Sequence, residues 1–311
     1  MSFQRSLLIL IALLPLACGA EQEEREFRDP FSRLERLVFL PAGSCLLFPL
    51  TTRPVDCSTP RALLVDAFEV TRQEWLAAAS AGSEQGRPLP QEAFWGEGGP
   101  YLPATGMSLE EAQEFAKGEG MRLPTAREWI RLAAGTRAQQ YPWTTVSRES
   151  VDNTSKLGFG QLAAVGVFHG GRTPSGIYDL SGNAAEWVTD WAGLVRSEEV
   201  ERWEWAMGGS YLQRQRPTYA FDSNALGSVA YNAVRLNPGH RGLDVGMRLV
   251  VDAEAWILRS AAAWPTGGRD TERLRIVGKK WGVRAQPLLR SLIQEHPNLP
   301  ALKGLLDGTE Q

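Results

Sequence analysis

The sequence predicts an α+β, loop-rich fold with a small C-terminal helical appendage. Three observations support this class: helix-start signals, short apolar runs typical of strands, and a long stretch rich in Gly, Asn and Ser. The 311 residues include 11 Trp, 31 Gly and 19 Pro. Such a composition is typical of a domain in which buried aromatic side chains organise long loops.

The predicted helices begin at a hydroxyl residue followed three positions later by Glu. The pairs are Thr71 with Glu74, Ser108 with Glu111, and Thr125 with Glu128. In such a capping box the two side chains satisfy backbone N–H groups that the first helical turn leaves unbonded. We therefore expect a helix to follow each pair.

The predicted strands are the apolar runs Leu37–Leu40, Leu63–Val70 and Met247–Val251. Loops are expected to hold much of the stretch from 144 to 246. Within it, Glu198–Trp205 alternates acids with Trp residues and is predicted to be an insertion or an exposed loop.

The composition changes after Val251. A helix is predicted over Ala255–Ala263 and a linker over Pro265–Gly268, because Pro and Gly both break helices. A basic stretch and an apolar stripe at helical spacing follow, the stripe being Leu288, Leu289, Leu292 and Ile293. We expect these helices to pack on the main domain; a basic membrane-surface or partner helix is the alternative.

The N-terminus has the layout of a signal peptide. Arg5 precedes the apolar run Leu7–Leu16, which is too short to span a bilayer. Cys18 lies where a bacterial lipoprotein is cleaved and acylated, although Pro15 stands where that pattern usually has Leu. An ordinary secretory signal cut near Ala20 is the alternative. Export to the periplasmic side or the cell surface, with a lipid anchor on Cys18, is the prediction.

The predicted organisation has four parts: a signal peptide (1–18), a charged tether (19–36), a main domain (37–251) and a helical extension (252–311). Cys45 and Cys57 flank a Pro-containing segment, which in an oxidising compartment favours a disulfide over a metal or redox site. The net charge of −3 and the pI near 5.8 disfavour a nucleic-acid partner, since phosphate attraction needs a basic surplus.

Six landmarks then occur in a fixed order along the main domain. They are Glu69–Thr71, Arg122–Trp129, Tyr141–Trp143, Gly176–Trp187, Gly208–Tyr211 and Gly246–Arg248. They resemble "EVTN", "RLPTEAEWE", "YPWG", "GLYDMSGNVWEW", "GGSW" and "GFR" of the formylglycine-generating enzyme, or sulfatase-modifying factor, family. The resemblance implies that family's fold, which is related to C-type-lectin-like domains.

The resemblance also implies a chemical loss. Members of the family carry two cysteines after the "GGSW" motif, whose thiolates hold Cu(I), and these positions are Gln213 and Thr218 here. Neither an amide nor an alcohol replaces a soft thiolate, so copper is not expected. The iron-dependent sulfoxide synthase branch fits no better, because its His cluster is missing.

Calcium is the one metal that the resemblance keeps open. The family's turn at Gly182–Trp187 implies a site using Asn183 and Glu186, and a purely structural turn is the alternative. At the family's second site the acidic ligand falls at Leu157, so no ion is expected there.

These observations favour a non-catalytic binding or scaffold module at the cell envelope. Its partner would be an unidentified protein or peptide, and its membrane contact would be the lipid anchor. The alternative is a formylglycine-generating-type oxidoreductase acting on a protein cysteine, or another oxidase with an unrecognised metal site. Candidate residues for that alternative are Asp179, Glu186, Asp190, Asp222, His169 and His240.

Overall fold

The computed structural model describes residues 30–47, 55–83, 95, 98–135, 139, 141–143, 148–190, 203–213, 219–220, 230–231 and 233–310. Its strands are β1 (Leu37–Leu40), β2 (Leu46–Leu47), β3 (Val55–Asp56), β4 (Leu63–Asp66), β5 (Ala185–Val188), β6 (Glu204–Met207), β7 (Tyr219–Ala220), β8 (Ala230–Tyr231), β9 (Ala233–Leu236), β10 (Val245–Gly246) and β11 (Val250–Asp252). Its helices are α1 (Pro30–Arg36), α2 (Arg72–Ser83), α3 (Leu109–Gly118), α4 (Ala126–Ala134), α5 (Ala253–Ala261), α6 (Arg269–Trp281), α7 (Gln286–Glu295) and α8 (Pro300–Thr309). The predicted α+β class is confirmed.

A three-stranded antiparallel sheet, in the order β1-β4-β11, separates two hydrophobic clusters. Alternate side chains of a strand point to opposite faces. Leu37, Phe39 and Leu64 accordingly pack in one cluster, whereas Val38 and Val65 pack in the other. Both faces of this sheet are therefore buried, which explains why its strands read as continuous apolar runs.

The second sheet has the order β10-β5-β6-β9, with β10 parallel to β5 and the other pairs antiparallel. Its strand β6 corrects one sequence-based expectation. Glu204 and Trp205, predicted to lie in an insertion or exposed loop, pair with Leu236 and Arg235 of β9. The alternating acidic residues did not predict a strand, because the buried residues of β6, Ala206 and Met207, follow the acidic stretch.

The predicted capping boxes open helices. Thr125 Oγ1 accepts from Glu128 N over 3.1 Å, and the Glu128 carboxylate accepts from Thr125 N over 2.9 Å. The same reciprocal pair joins Ser108 and Glu111 at the start of α3. These local contacts set the entry of each helix into the core.

Cys45 and Cys57 form a disulfide, with their sulfur atoms 1.97 Å apart. Both side chains are buried, and Cys57 N donates to Cys45 O over 2.7 Å. The bond closes the β2–β3 pair beside the second hydrophobic cluster. A disulfide closing a loop of this size contributes about 3 kcal/mol in the chain-entropy account.

The last residues of the predicted tether are folded. Residues 30–36 form α1, whose Leu34 is fully buried. Its arginines enter a group of four charges that we call the balanced network: Arg33, Arg36, Asp66 and Glu74. Arg33 NH2 lies 2.6 Å from Asp66 Oδ2, and both arginines contact Glu74 Oε1. The charged composition of α1 reflects these ion pairs, not solvation.

The C-terminal region is helical, as predicted, and shares the first hydrophobic cluster with the main sheet. Trp281 is buried, donates its indole N–H to Leu37 O over 3.0 Å and packs on Phe39. Helices α6 and α8 cross closely at Gly278, which has no side chain. A Cβ there would lie only 1.9 Å from Leu305 O.

Within the described residues, no helix combines the length and the apolar character needed to cross a bilayer.

Candidate functional site

A buried group of charges lies between the two sheets, and we call it the acid-rich network: Glu69, Asp179, Glu186 and Arg248. Glu69, Glu186 and Arg248 are fully buried, and Asp179 is 6% exposed. Arg248 pairs with Glu186 over 2.6 Å and also donates to Asp66 O and Tyr178 O. The guanidinium therefore connects β4 of the first sheet to β5 of the second.

Both carboxylate oxygens of Glu186 accept hydrogen bonds from protein donors. Trp129 Nε1 donates to Oε2 over 2.7 Å, and Arg248 donates to Oε1 and Oε2. Because Glu186 lies on β5 and Trp129 on α4, the contact also fixes α4 against the second sheet. Glu186 thus acts as an acceptor inside the core.

Glu69 and Asp179 accept hydrogen bonds from neutral groups. Glu69 Oε1 accepts from Ala184 N over 2.9 Å and Oε2 from Asn183 Nδ2 over 2.7 Å, while Asp179 Oδ2 accepts from Gly166 N over 2.7 Å. Burial, reinforced by neighbouring carboxylates, raises the pKa of Glu69 well above its usual value. Burial likewise raises the pKa of Asp179 to about 6.

Asn183 is the turn residue on which the sequence-based calcium expectation rested. Its φ of 60° places it in the left-handed region that Asn tolerates. Asn183 Oδ1 accepts from Asn153 Nδ2 over 3.0 Å and from Ala163 N over 2.9 Å. The side chain therefore ties the loop around Ala163 to the start of β5.

This donor set does not fit a calcium ion. A calcium ligand must direct its oxygen lone pairs at the cation, but those of Asn183 and Glu186 face N–H donors. At the family's second place, Leu157 supplies no oxygen from its side chain and is 36% exposed. Within the described residues, no group of three or more His, Cys, Asp or Glu side chains could hold a metal.

The turn that follows β6 carries Gln213, one of the two positions at which the resemblance implies a cysteine. Gly208 has a φ of 95°, and a Cβ there would lie 3.1 Å from the Trp129 ring. Ser210 is fully buried and donates to Asp244 Oδ2 over 2.6 Å. Tyr211 N donates to Asn183 O over 3.0 Å, which places this turn directly on the Asn183 turn.

Gln213 closes the turn through its backbone. Its N–H donates to Ser210 O over 2.9 Å, and its carbonyl accepts from Ser155 N over 2.8 Å. The loop geometry is thus held without a thiol. The other cysteine position, Thr218, lies outside the described residues, as do Asp222 and Cys18.

Polar side chains lie near this turn. A Cβ on Gly242 would lie 2.8 Å from His240 Nε2 and 3.1 Å from Asp244 Oδ1, so the imidazole and the carboxylate both border the same glycine. Burial, and then Asp244, raises the pKa of Tyr211. These are nitrogen and oxygen groups suited to hydrogen bonding a ligand; they do not replace a pair of thiolates for Cu(I).

The remaining sequence-based candidates lie in separate parts of the structure, except Asp179 and Glu186. His169 is exposed and contacts Tyr178, and Asp190 is exposed just after β5. Asp179 and Glu186 belong to the acid-rich network. His240 lies beside Gly242, which Asp244, the partner of Ser210, also borders.

Sequence reasoning missed Asp244 as a site residue. Its only signal is its position two residues before the Gly246–Arg248 motif, because its partner Ser210 lies 34 residues earlier. Arg248 was recognised as a motif residue, but its pairing with Glu186 across 62 residues was not.

The chain matches the family model described as "Sulfatase-modifying factor enzyme 1-like domain" over residues 23–253. It is 27% identical over 212 residues to hercynine oxygenase of Mycobacterium tuberculosis, covering 60% of this chain and 49% of that protein. It is 33% identical over 122 residues to the inactive C-alpha-formylglycine-generating enzyme 2 of Mus musculus, covering 33% of this chain and 39% of that protein. The chain thus spans about half or less of the length of these relatives.

The fold is similar to that of a solved structure, PvdO from Pseudomonas aeruginosa. The TM-score is 0.53 at 19% sequence identity, over 69% of this chain and 93% of that one. At this identity the likeness shows the fold alone.

Proposed function

Because the chain belongs to the sulfatase-modifying factor enzyme 1-like family, we propose that it is a non-catalytic member that binds a protein or peptide at the bacterial cell envelope. The observation that carries this proposal is Gln213. Its backbone keeps the turn closed, through Ser210 O and Ser155 N, while its side chain lacks the thiolate needed for Cu(I).

The surroundings of Gln213 support binding without turnover. The Ser210–Asp244 hydrogen bond, the Tyr211–Asn183 contact and the acid-rich network together hold the turn on both sheets. A rigid framework that presents a surface turn is what a recognition site needs. Leu212, 60% exposed, and the half-buried Tyr211 and Gln213 offer apolar, phenolic and amide groups suited to a peptide.

The envelope location rests on two supports. The first is the signal layout with Cys18 in residues 1–18. The second is the buried Cys45–Cys57 disulfide, which suits an oxidising compartment. Cys18→Ala is expected to release the protein from the membrane fraction into the soluble fraction, and unchanged fractionation of that variant would contradict the anchor.

The proposal is tested with the purified chain and its Gln213→Cys/Thr218→Cys variant. Each is loaded with Cu(I), dialysed, and incubated under oxygen with a cysteine peptide carrying a sulfatase motif. We expect the natural chain to retain no copper and to leave the peptide mass unchanged. The double variant is the matched control, since it places a thiol at each of the two family cysteine positions and should bind Cu(I).

Peptide binding is measured separately, by the fluorescence anisotropy of the same peptide and of a scrambled one. Saturable binding without a mass change supports the recognition role. Copper retention together with aldehyde formation by the natural chain would establish the oxidoreductase alternative and overturn the proposal.

A further inference from the structure

The carboxylate of Asp244 is fixed at one oxygen and open at the other. Oδ2 accepts from Ser210 Oγ over 2.6 Å, and that hydroxyl in turn accepts from Leu212 N over 3.3 Å. Oδ1 accepts no hydrogen bond from any residue that the structure describes, and it is not enclosed, because Asp244 is only half-buried. Asp244 therefore presents one oriented oxygen to solvent.

A second acceptor lies beside that oxygen. The position that a Cβ on Gly242 would take is 3.1 Å from Asp244 Oδ1 and 2.8 Å from His240 Nε2. Both distances are measured from one point, so the oxygen and the nitrogen are at most about 6 Å apart, and one donor atom between them can lie about 3 Å from each. His240 Nε2 accepts in the tautomer that carries its proton on Nδ1. One ligand atom can therefore reach both side chains.

Within the described part of the chain, no cation pairs with Asp244. Arg241 lies on the same loop, but its NH1 and NH2 donate to the two carboxylate oxygens of Glu111 at the start of α3. The charge of Arg241 is thus balanced by another acid. Asp244 acts instead on Tyr211, whose pKa is raised by burial and then by this carboxylate. A negative charge without an ion pair therefore lies next to the Ser210 turn.

Apolar residues lie on the same two segments. Leu212 is 60% exposed and Leu243 is 52% exposed. Leu212 N is bonded to Ser210 Oγ, and Leu243 directly precedes Asp244. A few placed polar groups with apolar surroundings are typical of a ligand site, because the polar groups orient the ligand and the apolar area adds affinity.

We propose that Asp244 and His240 bind a primary ammonium group of a peptide, either a lysine side chain or a free N-terminus. This inference rests on the proposed peptide-binding function and adds the chemistry of the ligand. An ammonium directs three N–H donors from one nitrogen, so it can serve both acceptors at once. A guanidinium pairs best with both oxygens of one carboxylate, and Oδ2 of Asp244 already accepts from Ser210. The site therefore prefers an ammonium to a guanidinium.

The first test measures the binding of fluorescent peptides to the purified full chain by anisotropy. Three probes have the sequence Ala-Leu-X-Leu-Ala, with a fluorophore on the N-terminus and an amide at the C-terminus, and X is lysine, Nε-acetyl-lysine or arginine. The lysine peptide should bind roughly tenfold more tightly than the acetyl-lysine peptide, as expected for one charge-assisted hydrogen bond. It should also bind more tightly than the arginine peptide.

Variants assign the preference to the two acceptors. Asp244→Asn keeps an oxygen for Ser210 but removes the charge, and it should abolish the preference for the ammonium. His240→Leu should weaken the preference without removing it. Glu310→Gln is the matched control, since it removes the same charge at an exposed position in the C-terminal region and should keep the full preference. Thermal unfolding checks that each variant is folded. A preference that survives Asp244→Asn contradicts the assignment.

A second pair of probes separates the two sources of the ammonium. Both have the sequence Ala-Leu-Leu-Ala with a C-terminal fluorophore, and their α-amino group is either free or acetylated. A preference for the free amine alone assigns a peptide N-terminus, and a preference for lysine over acetyl-lysine alone assigns a side chain. Absence of both preferences in the natural chain, or tighter binding of the arginine peptide than of the lysine peptide, overturns the inference. Binding of the sulfatase-motif peptide decides the proposed function separately.

Discussion

The balanced network and the acid-rich network are both buried, but they differ in charge ratio. The balanced network sets two arginines against two carboxylates. The acid-rich network sets Arg248 against three carboxyl groups. Burial disfavours an ionised carboxyl in both places, and nearby cations oppose that effect.

The carboxyl groups of the balanced network differ from each other: burial raises the pKa of Asp66 even though Arg33 and Arg36 lie near it. Burial alone would raise the pKa of Glu74, but Arg36 and Arg33 outweigh it and lower that pKa. In the acid-rich network burial prevails, and the pKa values of Glu69 and Asp179 are raised. The comparison teaches that burial governs the pKa of Glu69 and Asp179, which accept hydrogen bonds mainly from neutral groups, whereas two adjacent arginines govern that of Glu74.

The largest effect is expected from Arg248→Met. It removes the central cation of the acid-rich network and leaves Glu186 without its ion pair, so unfolding free energy should fall by about 3–5 kcal/mol. Urea unfolding at neutral pH measures it. Arg36→Met is the matched variant in the balanced network, where Arg33 still contacts both acids. An equal loss in the two variants would show that charge ratio is not what separates the networks.

Glu74→Gln should cost somewhat less, about 3 kcal/mol at neutral pH, because it breaks a largely buried pair. The folded-state pKa of Glu74 is lowered, so its contribution is present above the unfolded pKa and is lost as pH falls through the folded value. The stability gap between wild type and variant should therefore narrow in acid. A gap that widens in acid contradicts the assigned sign.

The stability difference between wild type and Asp179→Asn should change with pH in the opposite direction to that of Glu74→Gln. A raised folded-state pKa contributes stability that is fully present below the unfolded value and is lost as pH rises through the folded one. For Asp179 the window runs from 3.8 to about 6. Relative to the Asn variant, wild type should lose about 1–3 kcal/mol across this window. Unfolding curves of both proteins at several pH values measure the slope, and parallel pH profiles would rule it out.

Arg290→Ala should have the smallest effect. The pair with Glu310 is more than half exposed on both sides, so its loss should change stability by less than about 1 kcal/mol. The same urea titration measures it. This variant shows how little an ion pair contributes to stability when water screens it. A loss of stability comparable to that of Glu74→Gln would mean that burial does not explain the difference between the two ion pairs.

The sequence predicts what short-range contacts decide. The capping boxes at Ser108 and Thr125 lie within four residues of their partners, and both open helices as expected. The family framework was likewise readable, because its motifs combine a turn residue such as Asn183 with a buried aromatic such as Trp187.

Long-range contacts escaped the sequence. Arg33 and Arg36 looked like tether residues because their acidic partners, Asp66 and Glu74, lie more than 30 residues away. The pairing of Asp244 with Ser210 was hidden for the same reason. The calcium expectation rested on residue type, which identified the oxygens of Asn183 and Glu186, but only the fold shows which donors those oxygens face.

Helix α1 is held from two sides, by the balanced network and by α6, where Arg273 pairs with Glu35 over 2.6 Å across 238 residues. Synthesis runs from the N-terminus, so the ribosome makes α1 long before the helix that covers it. Until Trp281 has emerged, Leu37 O and the apolar surface around Phe39 lack their cover. The cover over this part of the core is therefore contributed by one of the last segments of the chain to be made.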